Sequence, residues 1–473
     1  MDLRNRLGRV ALDRPAVLLV TAAGATRERL AVEAELARRR WPRASGPAAA
    51  DLVAFAGAPA PAGDDDWAER LWNGVPAPKA RVRVRDPEHA AHALEHGRMA
   101  LLVGAGTQGR QEQREPAGHE RHDADGEHPP QHDGHTASGR SEHDGHTTSG
   151  PSEHDGHTTS GPSEHDGHGH DAHQDHGGSH AGTDQGHHGH GGSHPGTDHD
   201  HHGHHMGGAI LGLPMAERAD DRDGLRLDRL HVPLGPALPD WPAGLVVRTE
   251  LQGDVVQRAS VEALVPPRSS RPAFWSEPWI RSAAGEPVTV GEAARRRCAA
   301  HLDSVGRFLA VAGWRDPAAV ARRARDQVLG GASVADLRSG LRTLTRRVRR
   351  SWTLRWLTSG VGTLSSAQAQ RYGVTGPALL ADGDAYDRLL VWLEEIDRAV
   401  DACDDRSPLA SHALNGPRGR IAPEAPASRT LVDVLPVLLE GTEFACARLV
   451  VASLDPDLDE LAPQHARGGH AHG

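Results

Sequence analysis

Twenty-four of the chain's 33 histidines lie between His119 and His205, in a stretch with almost no aliphatic side chains. Such a stretch cannot bury enough apolar surface to offset the entropy of ordering it, so residues 109–206 are expected to form a disordered linker. The linker divides the 473 residues into two arms. Together the arms hold about 370 residues, ample for a substantial core by size scaling. HDGH recurs at His132, His143, His154 and His165, a period of eleven, and a second unit opens at Gly177 and again at Gly191. Neither spacing matches a solenoid repeat, so both read as tandem duplications within a spacer.

Each HDGH sets two imidazoles three residues apart around a carboxylate. Neutral imidazole suits zinc, nickel, cobalt and copper. The candidate metal ligands are His132, His135, His143, His146, His154, His157, His165, His168, His187, His188, His190, His201, His202, His204 and His205. Many such units on a flexible chain imply high capacity and little geometric selectivity, with zinc or nickel as the expected ions. The competing reading is a solvated spacer whose repeats have no metal role.

Composition excludes several classes. A formal charge of −11 argues against a nucleic-acid binder. Cys298, Cys403 and Cys446 are far apart, form no CxxC, and cannot supply the four thiolates of an ordinary iron–sulfur cluster. Apolar runs such as Ala16–Ala25 fall far short of the ~20 residues of a spanning helix. Asp13, Arg14 and Pro15 abut that run, which favours a buried first strand over a signal peptide. The expectation is a cytoplasmic protein without a transmembrane segment, associated with membranes at most through partners.

Residues 1–108 alternate strand and helix signals: strands near Ala16–Val20, Asp51–Ala56, Arg81–Val84 and Ala100–Val103, and helices near Arg27–Arg39, Trp67–Trp72 and Pro87–Glu95. Repeated β–α–β units imply a parallel sheet covered by helices. Residues 207–288 begin an α+β domain. Gly244–Leu251 and Asp254–Leu264 read as a hairpin around Gln252-Gly253, and 266–288 reads as irregular. Residues 289–462 are mainly helical. Val290–Val311 is one helix. Ser333 and Asp336 resemble a capping box that opens another, with Leu337, Leu341, Leu344, Val348 and Trp352 in one apolar stripe. Ala385–Ala402 and Arg429–Ala452 are further helices, and 463–473 is a polar tail.

Two sets of motifs resemble the NADH–quinone oxidoreductase (complex I) family, whose hydrophilic subunits are related to nickel–iron hydrogenases. Arg43–Gly57 (RASGPAAADLVAFAG) with Val75–Lys79 (VPAPK) is similar to the B subunit. Gly235–Val256, Gly360–Pro377 (GVGTLSSAQAQRYGVTGP) and the ASLDPDLDE ending at Glu460 are similar, in order, to the D subunit. The resemblance implies a flavodoxin-like α/β domain fused through the linker to a D-like domain with a small β region and a helical bundle. It also implies respiratory-complex or hydrogenase-type subunits as partners.

The sequence departs from that family at its functional positions. Residues 1–108 contain no cysteine, so no thiolate-bound cluster is expected there. Leu238 and Pro242 occupy the positions of the D subunit's quinone-site histidines, and neither side chain donates a hydrogen bond. Asp457 stands where hydrogenases carry a nickel-binding cysteine after the aspartate-proline pair Asp455-Pro456. Three functions follow: a catalytically degenerate assembly or structural paralogue, a subunit that retains quinone or NAD-linked binding, and a nickel or zinc store. The first is the expectation.

Other features carry weaker signals. Arg342, Arg346, Arg347, Arg349 and Arg350 could contact phosphates, but a solvated or partner-facing helix face is the simpler reading. Gly24-Ala25-Thr26 lacks GxxxxGK[ST] and reads as a plain βα turn. His301 reads as packed or surface, Asp455 and Asp459 as a polar helix end, and Cys446 as core. The two arms are expected to pack together through a contact apolar at its centre, drawing on Gly235–Trp241 or the helix around Leu337–Trp352.

Overall fold

The computed structural model describes residues 12–58, 66–112, 217–220, 226–265, 271–422 and 424–462. The His-rich segment with all its candidate ligands, and the tail after 462, lie outside these residues. The arms flanking that segment form one compact unit, Met1–Ala117 with Gly207–Gly473.

The first arm is a parallel sheet in the order β1 (Val17–Thr21), β2 (Leu52–Ala56), β3 (Ala80–Val84). Val17 pairs with Leu52 and Leu52 with Ala80. All five side chains of the central strand are buried, whereas β3 alternates buried and exposed as a half-covered edge does. Helices α1 (Thr26–Arg39), α2 (Trp67–Asn73) and α3 (Ala90–Glu112) follow the strands in turn. Successive strand side chains point to opposite faces. Val17 and Leu19 therefore meet Val32 and Leu36 of α1 and Leu94 of α3, while Leu18, Val20 and Phe55 face Trp67 of α2. Ala237 and Leu264 of the second arm pack against that other face.

The strand expected at Ala100–Val103 is instead part of α3. Leu94 and Leu101, two helical turns apart, are both fully buried against the sheet. Between them, Gly97 lies so near the strands that a Cβ there would fall 2.6 Å from Leu52 Cδ1. Because Ala100–Val103 continue the helix that packs on the sheet face, β3 remains an edge strand among the described residues.

The second arm opens with an antiparallel sheet, β4 (Glu217–Asp220), β5 (Arg226–Leu234), β6 (Leu245–Gln252) and β7 (Val255–Ala263), in chain order. The hairpin around Gln252-Gly253 is β6–β7, turned at Gly253 with φ 59°. Of the stretch 266–288, the described residues from 271 on are less irregular than expected. They include α4 (Glu277–Ala283), preceded by a 3-10 turn at Phe274–Ser276, and Trp275 and Trp279 are buried there.

The helical body comprises α5 (Val290–Val311), α6 (Arg315–Leu329), α7 (Val334–Arg349), α8 (Trp352–Thr358), α9 (Ser366–Arg371), α10 (Pro377–Ala381), α11 (Ala385–Ala402), α12 (Ala427–Leu439) and α13 (Phe444–Leu454). Its core joins Leu302, Val305 and Leu309 of α5 to Leu389, Leu393 and Ile396 of α11. A second core sets β6 and β7 against α12 and α13. Both long helices are capped at their N-termini. Thr289 Oγ1 accepts from Glu292 N at 3.1 Å, and Asp384 and Asp387 form a reciprocal capping box.

Two expected helices end early. Arg429–Ala452 is split at Gly441, φ 81°, because the turn there pairs with the hairpin: Gly441 N donates to Val256 O at 2.8 Å and Phe444 N to Asp254 O at 2.7 Å. The α7 stripe buries Leu337, Leu341, Leu344 and Val348 but not Trp352. Helix α7 stops at Arg349, and Ser351 Oγ accepts from Leu354 N at 3.2 Å, which starts α8 on a new axis.

Candidate functional site at the seam between the arms

Helix α1 carries Arg29 and Glu33 four residues apart, so they share one face. Leu30 beside them joins the core of α5 and α11, which turns that face into the second arm. Opposite it, in the middle of α5, is the fully buried Asp303. Its carboxylate accepts from Arg29 Nη2 at 2.8 Å, Arg325 Nη1 at 2.6 Å and Arg307 Nη2 at 3.1 Å. Arg325, from α6, also donates to Glu33 at 2.6 Å.

The charges continue in both directions. Arg43 lies 3.8 Å from Glu33 and donates to Asp240 at 3.1 Å, and Arg322 reaches the same Asp240 oxygen at 2.6 Å. On the far side, Arg307 is 3.2 Å from Asp455, which accepts from Arg418 at 2.5 Å. A chain of alternating charge thus runs from α6 through the first arm and α5 to the segment after α13.

The pairing fixes the charge states. Burial opposes ionisation of Glu33 and Asp303, but Arg29 and Arg325, joined at Asp303 by Arg307, hold both carboxyls well below the usual range. Burial likewise opposes charge on Arg29 and Arg325, and the carboxylates beside them reverse its effect. Desolvation consumes most of the Coulomb gain of such pairs. The network therefore adds modest net stability, while loss of one member leaves a buried charge uncompensated.

A second cluster follows α13. Asp459 Oδ1 accepts from Gly24 N at 2.5 Å and its Oδ2 from Thr26 Oγ1 at 2.7 Å. These donors are the β1–α1 turn, where free backbone N–H groups and the helix dipole favour an anion. The anion is the chain's own carboxylate, 435 residues away. Asp457 is buried beside it. Its Oδ1 accepts from Asp459 N at 3.2 Å, and its Oδ2 has no hydrogen-bond partner among the described residues. Burial, with Asp459 and Glu460 adjacent, pushes its carboxyl well above the ordinary range. Glu460 accepts from Ser276 Oγ and Ser428 Oγ, each at 2.7 Å.

Space at the seam is scarce. The cavity lined by Leu19, Arg29, Glu33, Leu238, Asp240 and Trp241 measures about 20 Å³, room for one water. Leu238, at a position where the resemblance sets a quinone-contacting histidine, forms part of its wall. A quinone headgroup does not fit that volume. Iron–sulfur and nickel–iron centres do not fit the residues either. The first arm offers no thiolate, Cys298 and Cys403 are buried in the second, and Cys446, expected in the core, is only half-buried on α13.

Sequence reasoning placed some of these residues. His301 is packed as expected and fully buried. Burial, with Arg418, Arg297 and Arg398 nearby, holds its imidazole well below the usual pKa, and neither ring nitrogen has a hydrogen-bond partner among the described residues. Gly24-Ala25-Thr26 is a βα turn, but one that grips an acid. Asp455 and Asp459, expected to be a polar helix end, are buried connectors. The interface expected to be apolar at its centre is charged there, because Arg29 and Glu33 lie on the very face of α1 that the second arm covers. Gly235–Trp241 does contribute, through Ala237 and Asp240. Arg342, Arg346, Arg349 and Arg350 line an open groove of about 420 Å³ between α7 and α11, and Arg349 lies 3.4 Å from Asp397.

Arg29, Glu33, Arg43, Asp240, Asp303, Arg307, Arg322, Arg325 and Arg418 were not singled out from sequence. One signal was available: Asp303 interrupts the apolar face of α5 between Leu302 and Val305. A charge at such a position needs a buried partner.

No protein-family model and no curated protein matches the chain. Among solved structures, it is similar to a chain of the membrane-bound sulfane sulfur reductase, an archaeal respiratory membrane complex, at 15% identity and a TM-score of 0.36. That match covers 49% of this chain and 98% of the other.

Proposed function

We propose that the chain is a catalytically degenerate structural or assembly paralogue of the complex I B and D subunits, docking on respiratory-complex or hydrogenase-type proteins. The observation that carries this reading is the filled seam. Where the resemblance places a cofactor between two subunits, paired charges leave room for one water. The alternative of retained quinone or NAD-linked binding has no comparable support. Among the described residues no helix is long and apolar enough to cross a membrane.

The test titrates a soluble quinone analogue against the full chain. A ligand at 100-fold its Kd would add about 2.7 kcal/mol to stability, an easily read rise in thermal midpoint. The expected result is no saturable rise, together with co-purification of respiratory- or hydrogenase-type subunits from native membranes. A saturable, stoichiometric rise would restore the oxidoreductase reading. As a separate proposal, the HDGH histidines bind zinc or nickel. Coordination requires neutral imidazole, so metal content of the full chain should fall steeply between about pH 7 and pH 5.

A further inference from the structure

Trp352 and Trp356 are the most exposed of the large hydrophobic side chains among the described residues, at 76% and 71%. Their placement follows from the break after α7. Had α7 continued, Trp352 would have extended the buried stripe of Leu337, Leu341, Leu344 and Val348. The Ser351 cap turns the chain, and α8 is then held to the body by Leu354 and Thr358 alone among its side chains. Trp352 and Trp356, four residues apart, stand on one outward face, with Leu357 next to them at 41% exposure.

The same segment is rich in cations. Arg342, Arg346, Arg347, Arg350 and Arg355 are exposed. Arg347 lies 5.2 Å from the Trp314 ring, and Arg342, Arg346 and Arg350 line the open groove, whose two acids, Asp397 and Asp401, are taken up by Arg349 and Arg338. A ridge of two indoles and a leucine therefore stands beside a basic surface, on a chain whose formal charge is −11.

We propose that α8 and the C-terminal half of α7 form a docking surface for an anionic phospholipid bilayer. Indoles partition to the zone between headgroups and acyl chains, which matches a protruding pair of tryptophans. Guanidiniums pair with lipid phosphates and are drawn to a negative surface. Two indoles and a leucine offer about 400 Å² of apolar contact, well below the ~800 Å² per partner of a stable protein interface. A fluid surface that contacts many lipids at once does not need that area. Leu357 favours a bilayer over a single-stranded nucleic acid, because an aliphatic chain offers no stacking face to a base. The proposal rests on residues that take no part in the seam, and its test involves no protein partner, so it stands or falls apart from the reading above.

The test is sedimentation of the full chain with vesicles of phosphatidylcholine, with and without phosphatidylglycerol. Binding is expected only with phosphatidylglycerol and should weaken as salt rises. Arg342→Gln/Arg346→Gln/Arg350→Gln should weaken it about 100-fold, at roughly fivefold per arginine. Trp352→Ala/Trp356→Ala should weaken it at least tenfold, on the order of one buried aromatic side chain. Substituting the same three arginines by lysine should keep most of the binding, because a charged surface does not need the guanidinium fork. On the unmodified chain, brominated acyl chains in the vesicles should quench tryptophan fluorescence, a readout independent of how the variants fold. The proposal is overturned by any of four results: no phosphatidylglycerol-dependent binding, no quenching, glutamine and alanine variants that bind like the parent, or a lysine variant as weak as the glutamine one. Salt-sensitive capture of a single-stranded oligonucleotide through these residues, without vesicle binding, would assign the surface to nucleic acid instead.

Discussion

Arg325 and Arg342 sit on neighbouring helices of the same body and meet opposite surroundings. Arg325 is wholly buried and bonded to Glu33 and Asp303, whereas Arg342 stands exposed at the edge of an open groove. Both carry the same guanidinium group. The difference lies in what surrounds the charge. In the seam it is held by carboxylates of fixed position, so it sets the register between the arms and is spent on structure. On α7 it stands exposed, with Asp397 and Asp401 across the groove rather than bonded to it. One residue type thus serves as internal fastening in one region and as open surface in the other.

The contrast breaks most readily at Asp303. Asp303→Ala removes the shared acceptor of Arg29, Arg307 and Arg325 and should cost about 3–5 kcal/mol, read from the denaturant midpoint of the full chain. A cost under about 1 kcal/mol would mean that water already screens the seam. The companion experiment replaces Glu33 and Arg325 by leucine, singly and together. The double variant should be far less destabilised than the two single losses summed, because the pair is removed without stranding either charge.

At the first arm's edge, Asp459→Ala should cost about 1–3 kcal/mol by orphaning Gly24 N–H and the Thr26 hydroxyl. Asp457→Asn should cost little or even stabilise at neutral pH. The Asp457 carboxyl is raised, so its folded form holds a proton that the unfolded chain releases above about pH 4. Removing the acid removes that penalty. Equal losses from the two variants would show that the two carboxylates are one ionised pair.

Stability should also respond to pH with signs that separate the buried groups. Glu33 and Asp303 are depressed, so their contribution is complete above about pH 4 and fades only as pH falls through their very low folded values. His301 is depressed too, and for a base this works the other way. Below about pH 6.5 the unfolded imidazole takes up a proton that the folded one refuses, so stability falls as pH drops, by up to about 1.4 kcal/mol per unit. His301→Leu should flatten thermal midpoints between pH 6.5 and 5; an unchanged slope would place its source elsewhere. The smallest effect belongs to the exposed arginines. Arg342→Gln and Arg346→Gln should shift stability by no more than about 0.5 kcal/mol, and a larger loss would mean that the groove is structural after all.

Much of the local structure was legible without coordinates. The extents of α5 and α11, the β6–β7 hairpin around Gln252-Gly253 and the cap at Ser333 rest on neighbouring residues, which carry the whole signal. The run ending at Glu460 was legible as a motif, yet its role was not. Periodicity marks Asp455 and Asp459 as polar and says nothing of a donor at Gly24 or an arginine at 418.

Residue spacing by itself therefore marked the three strands of the first arm, the β6–β7 hairpin and the long helices α5 and α11. Tertiary structure alone decided that Trp352 leaves its stripe, that Arg429–Ala452 breaks to pair with β7, and that Arg29 and Glu33 close over Asp303. The physical reason is range. Backbone hydrogen bonding and side-chain alternation repeat along the chain, whereas a buried charge is satisfied by whichever partner the fold delivers, at any distance in sequence.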